Sequence, residues 1–319
     1  MHNKWLTTLG VAAAVLAMPA QATPWTTDVA AAQAQAKAEG KTVLLFFTGS
    51  DWCHFCNVLR RRVLDTPAFD TWGADKFVYV EVDLPRRTRL PEPLLRQNNR
   101  LVRQYRVGGF PTVIVTDAEG HALGGFTGGM TRMPDVQQAL APALSVHRHL
   151  QSAAACGAAP ATRATHLAAA YAAYPDNYRP YNAWLRSELE QLDPTGTTGW
   201  HTTYAAEQQM AALDAELLTH ITDRAAVLAC FDRYLAQALP GNRPRILRFK
   251  EHYLNGLASI KMRAPRTVDD IIEARDLQLQ AAECCDDPTE RAERIRRVHE
   301  VYADPAAMLD AFKQQRHRR

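Results

Sequence analysis

Two cysteines three residues apart, Cys53 and Cys56, stand directly behind a short apolar run, and this arrangement restricts the chain more than any other feature. Residues 41–48 (KTVLLFFT) are β-branched, aromatic and apolar, and they read as a buried strand. Gly49, Ser50 and Asp51 read as a turn, and residues 53–64 as a helix stopped by Thr66 and Pro67. A C-x-x-C pair at that point sits where a helix leaves backbone N–H groups unpaired and its dipole is positive. Both effects favour thiolate over thiol, and the thiolate is the nucleophile. The spacing sets the second sulfur one turn on, within reach of a disulfide. Cys53 is therefore the expected exposed, attacking sulfur and Cys56 the more buried, resolving one.

The same residue types also bind metals. Cys53, His54 and Cys56 are zinc-ligand types, but the adjacent Cys284 and Cys285 lack the usual ligand spacing, so no metal is expected. Covalent haem requires C-x-x-C-H, and residue 57 is asparagine.

Around the pair, the pattern alternates. Residues 26–39 are Ala-rich and helical in composition, ending at Gly40. Residues 76–83 (KFVYVEVD) read as a strand, 85–93 as a Pro- and Arg-rich loop, and 94–105 as a helix. Residues 112–116 (TVIVT) and 121–127 read as strands joined by a tight turn, and 134–150 as a closing helix. Strands alternating with helices imply a partly parallel sheet, to which the last hairpin adds an antiparallel pair. Gly108, Gly109, Phe110 and Pro111 lead into the third strand, and a proline at such an entry suits a cis peptide bond.

In this combination the chain resembles the thioredoxin superfamily. The likeness rests on the strand, the Trp52-Cys53-His54-Phe55-Cys56 helix start and the Gly109-Phe110-Pro111-Thr112 strand entry, and it spans about residues 27–150. The lead-in Ser50-Asp51-Trp52 and the strand at 77–83 look closest to the exported bacterial thioredoxin-like subgroup. The resemblance implies dithiol–disulfide exchange with protein thiols or disulfides, no bound cofactor, and a partner that recycles the pair. It implies a cis Pro111 beside the cysteines, with Phe110 as the variable residue of the docking surface. Residues 126–129 match the family's glycine turn after the last strand.

Departures from the family pattern bear on the chemistry. The buried acid that thioredoxins carry six residues before the first cysteine is Phe47 here, and the dipeptide between the cysteines is His54-Phe55. A charged His54 favours thiolate and a more oxidising pair, whereas a His54 turned to solvent matters little. Phe55 suits surface packing or substrate contact. Arg60, Arg61, Arg62, Arg86, Arg87 and Arg89 either set up a positive field at the pair or form an ordinary solvated face.

The termini and the rest of the chain set the context. Lys4 followed by an apolar stretch at 6–18 and Ala20-Gln21-Ala22 fits a signal peptide cut after Ala22. The expected location is therefore the periplasm or otherwise outside the cytoplasm, with no integral membrane segment in the mature chain. The formal net charge of +3 over 319 residues argues against nucleic acid as a partner. From residue 153 onward Ala, Leu, Gln, Glu and Arg dominate, no strand is expected, and chain breaks separate about seven or eight helices.

The expected organisation is a signal peptide at 1–22, an α/β thioredoxin-like domain at 23–150 and an all-helical domain at 151–319. The helical domain supports an alternative: a module that binds a protein partner, with the thioredoxin-like part as scaffold. Tyr171, Tyr174, Tyr178, Tyr181 and Trp184 form a helical-spacing stripe that reads as core packing or as a ligand groove. Cys156, Cys230, Cys284 and Cys285 read as buried thiols, structural bridges or a second relay.

Overall fold

A computed structural model describes residues 25–157 and 159–317. The signal-peptide expectation for residues 1–22 lies outside them. The chain divides into two compact units between Thr198 and Gly199.

The first unit is built on strand β1 (Thr42–Thr48), every residue of which is buried. β2 (Phe77–Asp83) pairs with it in parallel, and β3 (Thr112–Thr116) pairs with its other edge antiparallel. β4 (Ala122–Thr127) closes the hairpin, giving the order β2-β1-β3-β4. Side chains alternate across a strand. Val43, Leu45 and Phe47 therefore share one face with Val80, Val82 and Ile114. Ala32 and Ala36 of α1 (Val29–Glu39) and Leu101 of α4 (Glu92–Gln104) cover that face. The opposite face carries Phe46 and Tyr79, and Phe69 of α3 (Pro67–Gly73) meets Tyr79 at 5.6 Å between ring centroids. α5 (Met133–Ala155) lies close enough to β4 that a Cβ on Gly124 would meet that of Ala143 at 3.0 Å.

Three expectations change. The helix after the cysteines is α2 (His54–Leu59) continued by a π-helical turn over Arg60–Leu64, not one regular helix. Helix α3 was not anticipated, because Thr66 and Pro67 read as a stop. In place they are a start: the Thr66 hydroxyl accepts from the Phe69 N–H, and proline at a first turn gives up an N–H that would be unpaired anyway.

The third change concerns the boundary between units, which falls at 198/199 whereas the composition shift suggested 150/151. Residue 150 lies inside α5. Helices α6 (Pro160–Ala173) and α7 (Ala183–Leu192) and the turn between them are tied to the sheet. Asn182 donates to the Ala122 carbonyl at 2.9 Å, and Trp184 stacks on His121 at 4.9 Å. Tyr171 and Tyr174 of the aromatic stripe are buried, while Tyr181 is partly exposed.

The second unit is helical: α8 (Trp200–Thr219), α9 (Arg224–Ala236), α10 (Arg243–Arg263), α11 (Val268–Glu283), α12 (Pro288–Val301) and α13 (Pro305–His317). Leu254, Ala258, Ile271, Ala274 and Leu277 form the centre of its larger core, and Leu213, Phe231 and Ile246 the centre of a second. α11 begins on a reciprocal cap between Thr267 and Asp270. No described helix is long and apolar enough to cross a membrane.

Candidate active site

The site starts at the end of β1. Gly49 accepts from the backbone N–H groups of Trp52 (3.1 Å) and Cys53 (2.8 Å), which closes the turn. The Trp52 indole lies so close over Gly49 that a Cβ there would fall 2.3 Å from the ring, so only glycine fits. Cys53 caps α2, its sulfur accepting from the Cys56 N–H at 3.2 Å. The two sulfurs form a disulfide with Cα atoms 5.3 Å apart. Cys53 retains 6% exposure and Cys56 none. His54 and Phe55 both point outward, their rings 5.7 Å apart, and Phe55 is 64% exposed.

The cis peptide bond lies between Phe110 and Pro111. Pro111 is buried, and its carbonyl accepts from the Gly128 N–H at 2.8 Å, tying the strand entry to the glycine turn after β4. Thr112 donates to the Gly109 carbonyl at 2.8 Å and lies 2.9 Å from the Thr127 hydroxyl. The Phe110 ring meets the Trp52 indole edge-on at 5.5 Å. On another side, a Cβ at Gly129 would lie 3.2 Å from that of Phe55. Trp52, Phe110 and Phe55 therefore bring aromatic surface from two distant stretches of chain to the helix start that carries the pair. Phe47, at the position of the family's acid, is fully buried in the apolar core.

Several residues that sequence reasoning passed over hold the site in place. Asp51 accepts from the backbone N–H groups of Arg86 (2.9 Å), Arg87 (2.7 Å) and Thr88 (2.9 Å). The Arg86 N–H, aided by those of Thr88 and Arg87, holds the Asp51 carboxyl down to about 2 against its partial desolvation. Asp83 accepts from Ser50 through both its N–H (2.8 Å) and its hydroxyl (2.6 Å). The Trp52 Nε1 donates to the Leu84 carbonyl at 2.9 Å, and the buried Asn98 amide donates to the Asp83 carbonyl at 2.7 Å. The acidic residue next to Trp52 was a visible signal, but its partners lie more than thirty residues away and only the fold supplies them.

The arginines divide. Arg60 is no solvated residue: it forms a bidentate pair with Glu81 of β2 and lies over the rings of Trp25 (5.4 Å) and Phe46 (5.7 Å). Arg61 and Arg62 are exposed. The four remaining cysteines are free thiols, with Cys156 partly buried and Cys230, Cys284 and Cys285 buried.

Residues 29–142 match the family model described as a thioredoxin-like domain. The chain is similar to the "Disulfide bond reductase DsbH" of Chlamydia pneumoniae, 38% identical over 108 residues. That stretch is 33% of this chain and 65% of that protein. It is also similar to the "Thioredoxin-related protein DsbJ" of the same organism, 30% identical over 95 residues, covering 30% of this chain and 27% of that one. A solved DsbH oxidoreductase structure is 31% identical and covers 44% of this chain and 95% of its own, with a TM-score of 0.34. The chain thus spans just under two thirds of the first relative's length and about a quarter of the second's.

Proposed function

Because residues 29–142 are a thioredoxin-like domain, we propose that this protein is a thiol–disulfide oxidoreductase acting on protein substrates through the Cys53-His54-Phe55-Cys56 pair. The observation that carries the reading is the disulfide at the start of α2, with Cys53 as both cap and more exposed sulfur. The name of the first relative favours the reducing direction.

In that direction the reduced Cys53 thiolate attacks a substrate disulfide. One substrate sulfur leaves as a thiolate, and a mixed disulfide forms. The Cys56 thiolate then attacks the Cys53 sulfur, releasing the second substrate thiolate and leaving the Cys53–Cys56 disulfide. Two electrons pass to the substrate, and a separate redox partner must return them. Three features assist the attack: the unpaired N–H groups at the helix start, the dipole, and the Cys56 N–H aimed at the Cys53 sulfur. With Phe47 in the core, β1 offers no carboxylate to take up the Cys56 proton. Phe110 and Pro111 line the surface where substrate docks, and Trp52, His54 and Phe55 modulate the pair.

The exported location, with cleavage after Ala22, belongs to the same proposal and accords with a chain whose redox pair must meet folded proteins outside the cytoplasm. The helical unit is assigned a protein-binding role, supported by the exposed apolar side chains Leu218, Ile221 and Phe249, which line a cavity of about 270 Å³.

Equilibration with glutathione buffers, followed by mass spectrometry of trapped thiols, gives the potential of the pair. A value near thioredoxin's, about −270 mV, supports the reductant, and one near about −120 mV reverses the direction. If Cys53→Ser and Cys56→Ser proteins keep the cellular function, chemistry gives way to the binding-module reading.

A further inference from the structure

Residues 84–90 (LPRRTRL) carry three arginines and no acid. Arg86, Arg87 and Arg89 are all exposed. Among the described residues none of their guanidinium groups has a carboxylate within ion-pair distance. The loop is not free to wander, because its backbone is fastened to Asp51 through three N–H groups and to the Trp52 indole through the Leu84 carbonyl. Both anchors belong to the two residues immediately before Cys53. Arg86 lies over the Trp52 ring, its Cζ 4.0 Å from the centroid, and Trp52 in turn meets Phe110. The cationic loop is thus continuous with the aromatic surface around the disulfide. Counting Asp51 and Asp83 against the three arginines leaves a net positive rim (3 − 2), and both carboxylates already face N–H or O–H donors. The same backbone donors, Arg86 N–H foremost, hold the Asp51 carboxyl well below the usual carboxylate range.

We infer that residues 84–90 form a fixed cationic rim that selects protein substrates carrying Asp or Glu beside the reacting cysteine. The inference rests on the thiol–disulfide exchange reading and names the substrate class. A clamped loop loses little conformational freedom on binding, and exposed charges at a rim act mainly on encounter and register. Arg86 is already held against Trp52, which leaves Arg87 and Arg89 as the groups that reach an acidic segment.

The test uses the full chain, reduced and desalted, against symmetrical disulfides of three short peptides whose single cysteine is flanked by Glu, Gln or Lys. At low ionic strength the Glu peptide is expected to react about tenfold faster than the Lys peptide, and the preference to collapse at about 0.5 M salt. In R87E/R89E the order inverts, while the backbone bonds to Asp51 that fix the loop are untouched. Equal rates for the Glu and Lys peptides in the wild type, or a preference that survives R87E/R89E, overturn the rim. A wild-type protein that reduces none of the three peptides overturns the exchange reading itself, and this inference falls with it.

Discussion

The Arg60–Glu81 pair joins the helix that carries both cysteines to the strand beside β1, and its strength is open to direct measurement. Arg60 Nη1 donates to one Glu81 oxygen at 2.5 Å and Nη2 to the other at 3.1 Å. The two side chains are 24% and 20% exposed. That places the pair between an exposed bridge, with about 0–1 kcal/mol, and a buried one, whose breakage costs about 3–5 kcal/mol. At an effective dielectric near 20, two charges 4 Å apart attract by about 4 kcal/mol, and desolvation removes a good part of this. A coupling of about 2 kcal/mol is expected.

Arg60→Met keeps an apolar stem against Trp25 and Phe46 while leaving the Glu81 charge unpaired, and should cost about 2–3 kcal/mol. Glu81→Leu alone should cost about 2 kcal/mol, and the double variant much less than the sum. Urea unfolding followed by tryptophan fluorescence supplies the double-mutant cycle, and thermal unfolding should show a drop of about 4–8 °C for each single variant. A coupling below about 0.5 kcal/mol would refute the view that this pair fixes the cysteine-bearing helix to the sheet.

Other predictions concern packing, protonation and thiol access. A Cβ at Gly125 would lie 2.1 Å from the Val113 carbonyl and 2.9 Å from the Tyr178 hydroxyl, so Gly125→Ala should cost about 3 kcal/mol in urea, and an unchanged midpoint would show that β4 can shift freely. The His121 pKa is raised, chiefly by its hydrogen bond to Asp117, so protonated His121 adds stability that is complete below its unfolded value of 6.5 and lost as pH rises through the higher folded value. The urea midpoint should therefore decline as pH rises from 6.5, and His121→Gln should remove that part of the slope. Burial pushes the Cys230 and Cys284 thiols up. In native protein reduced with dithiothreitol, iodoacetamide should label Cys53 first and reach Cys230 and Cys284 only after urea unfolding, as peptide mass mapping would report.

The cysteine site was legible in the residues because its determinants are local. The apolar strand, the cap position of Cys53 and the glycines before Pro111 lie within a few residues of the groups they control, so spacing and residue type were sufficient. The sheet and its mixed pairing followed from strand and helix alternation. What escaped was mostly long-range. Thr66 and Pro67 are equally good as a stop and as a start, and packing of Phe69 against Tyr79 decides between them. The turn at Asn182 joins the sheet unit because its amide finds the Ala122 carbonyl sixty residues away, which no composition shift can register.

The arginines show the division most plainly. By sequence, Arg60 and Arg86 are two members of basic clusters near a cysteine pair, and their chemistry is the same. The fold buries one against Glu81, Trp25 and Phe46, and lays the other over Trp52 at the rim of the site. The sequence by itself singled out the cysteine pair and the kind of scaffold that holds it, since a cysteine at a helix start is set by residues adjacent to it. Only the tertiary structure decided where the neighbouring charges lie, because side-chain reach and backbone donors more than thirty residues distant are brought together by packing alone.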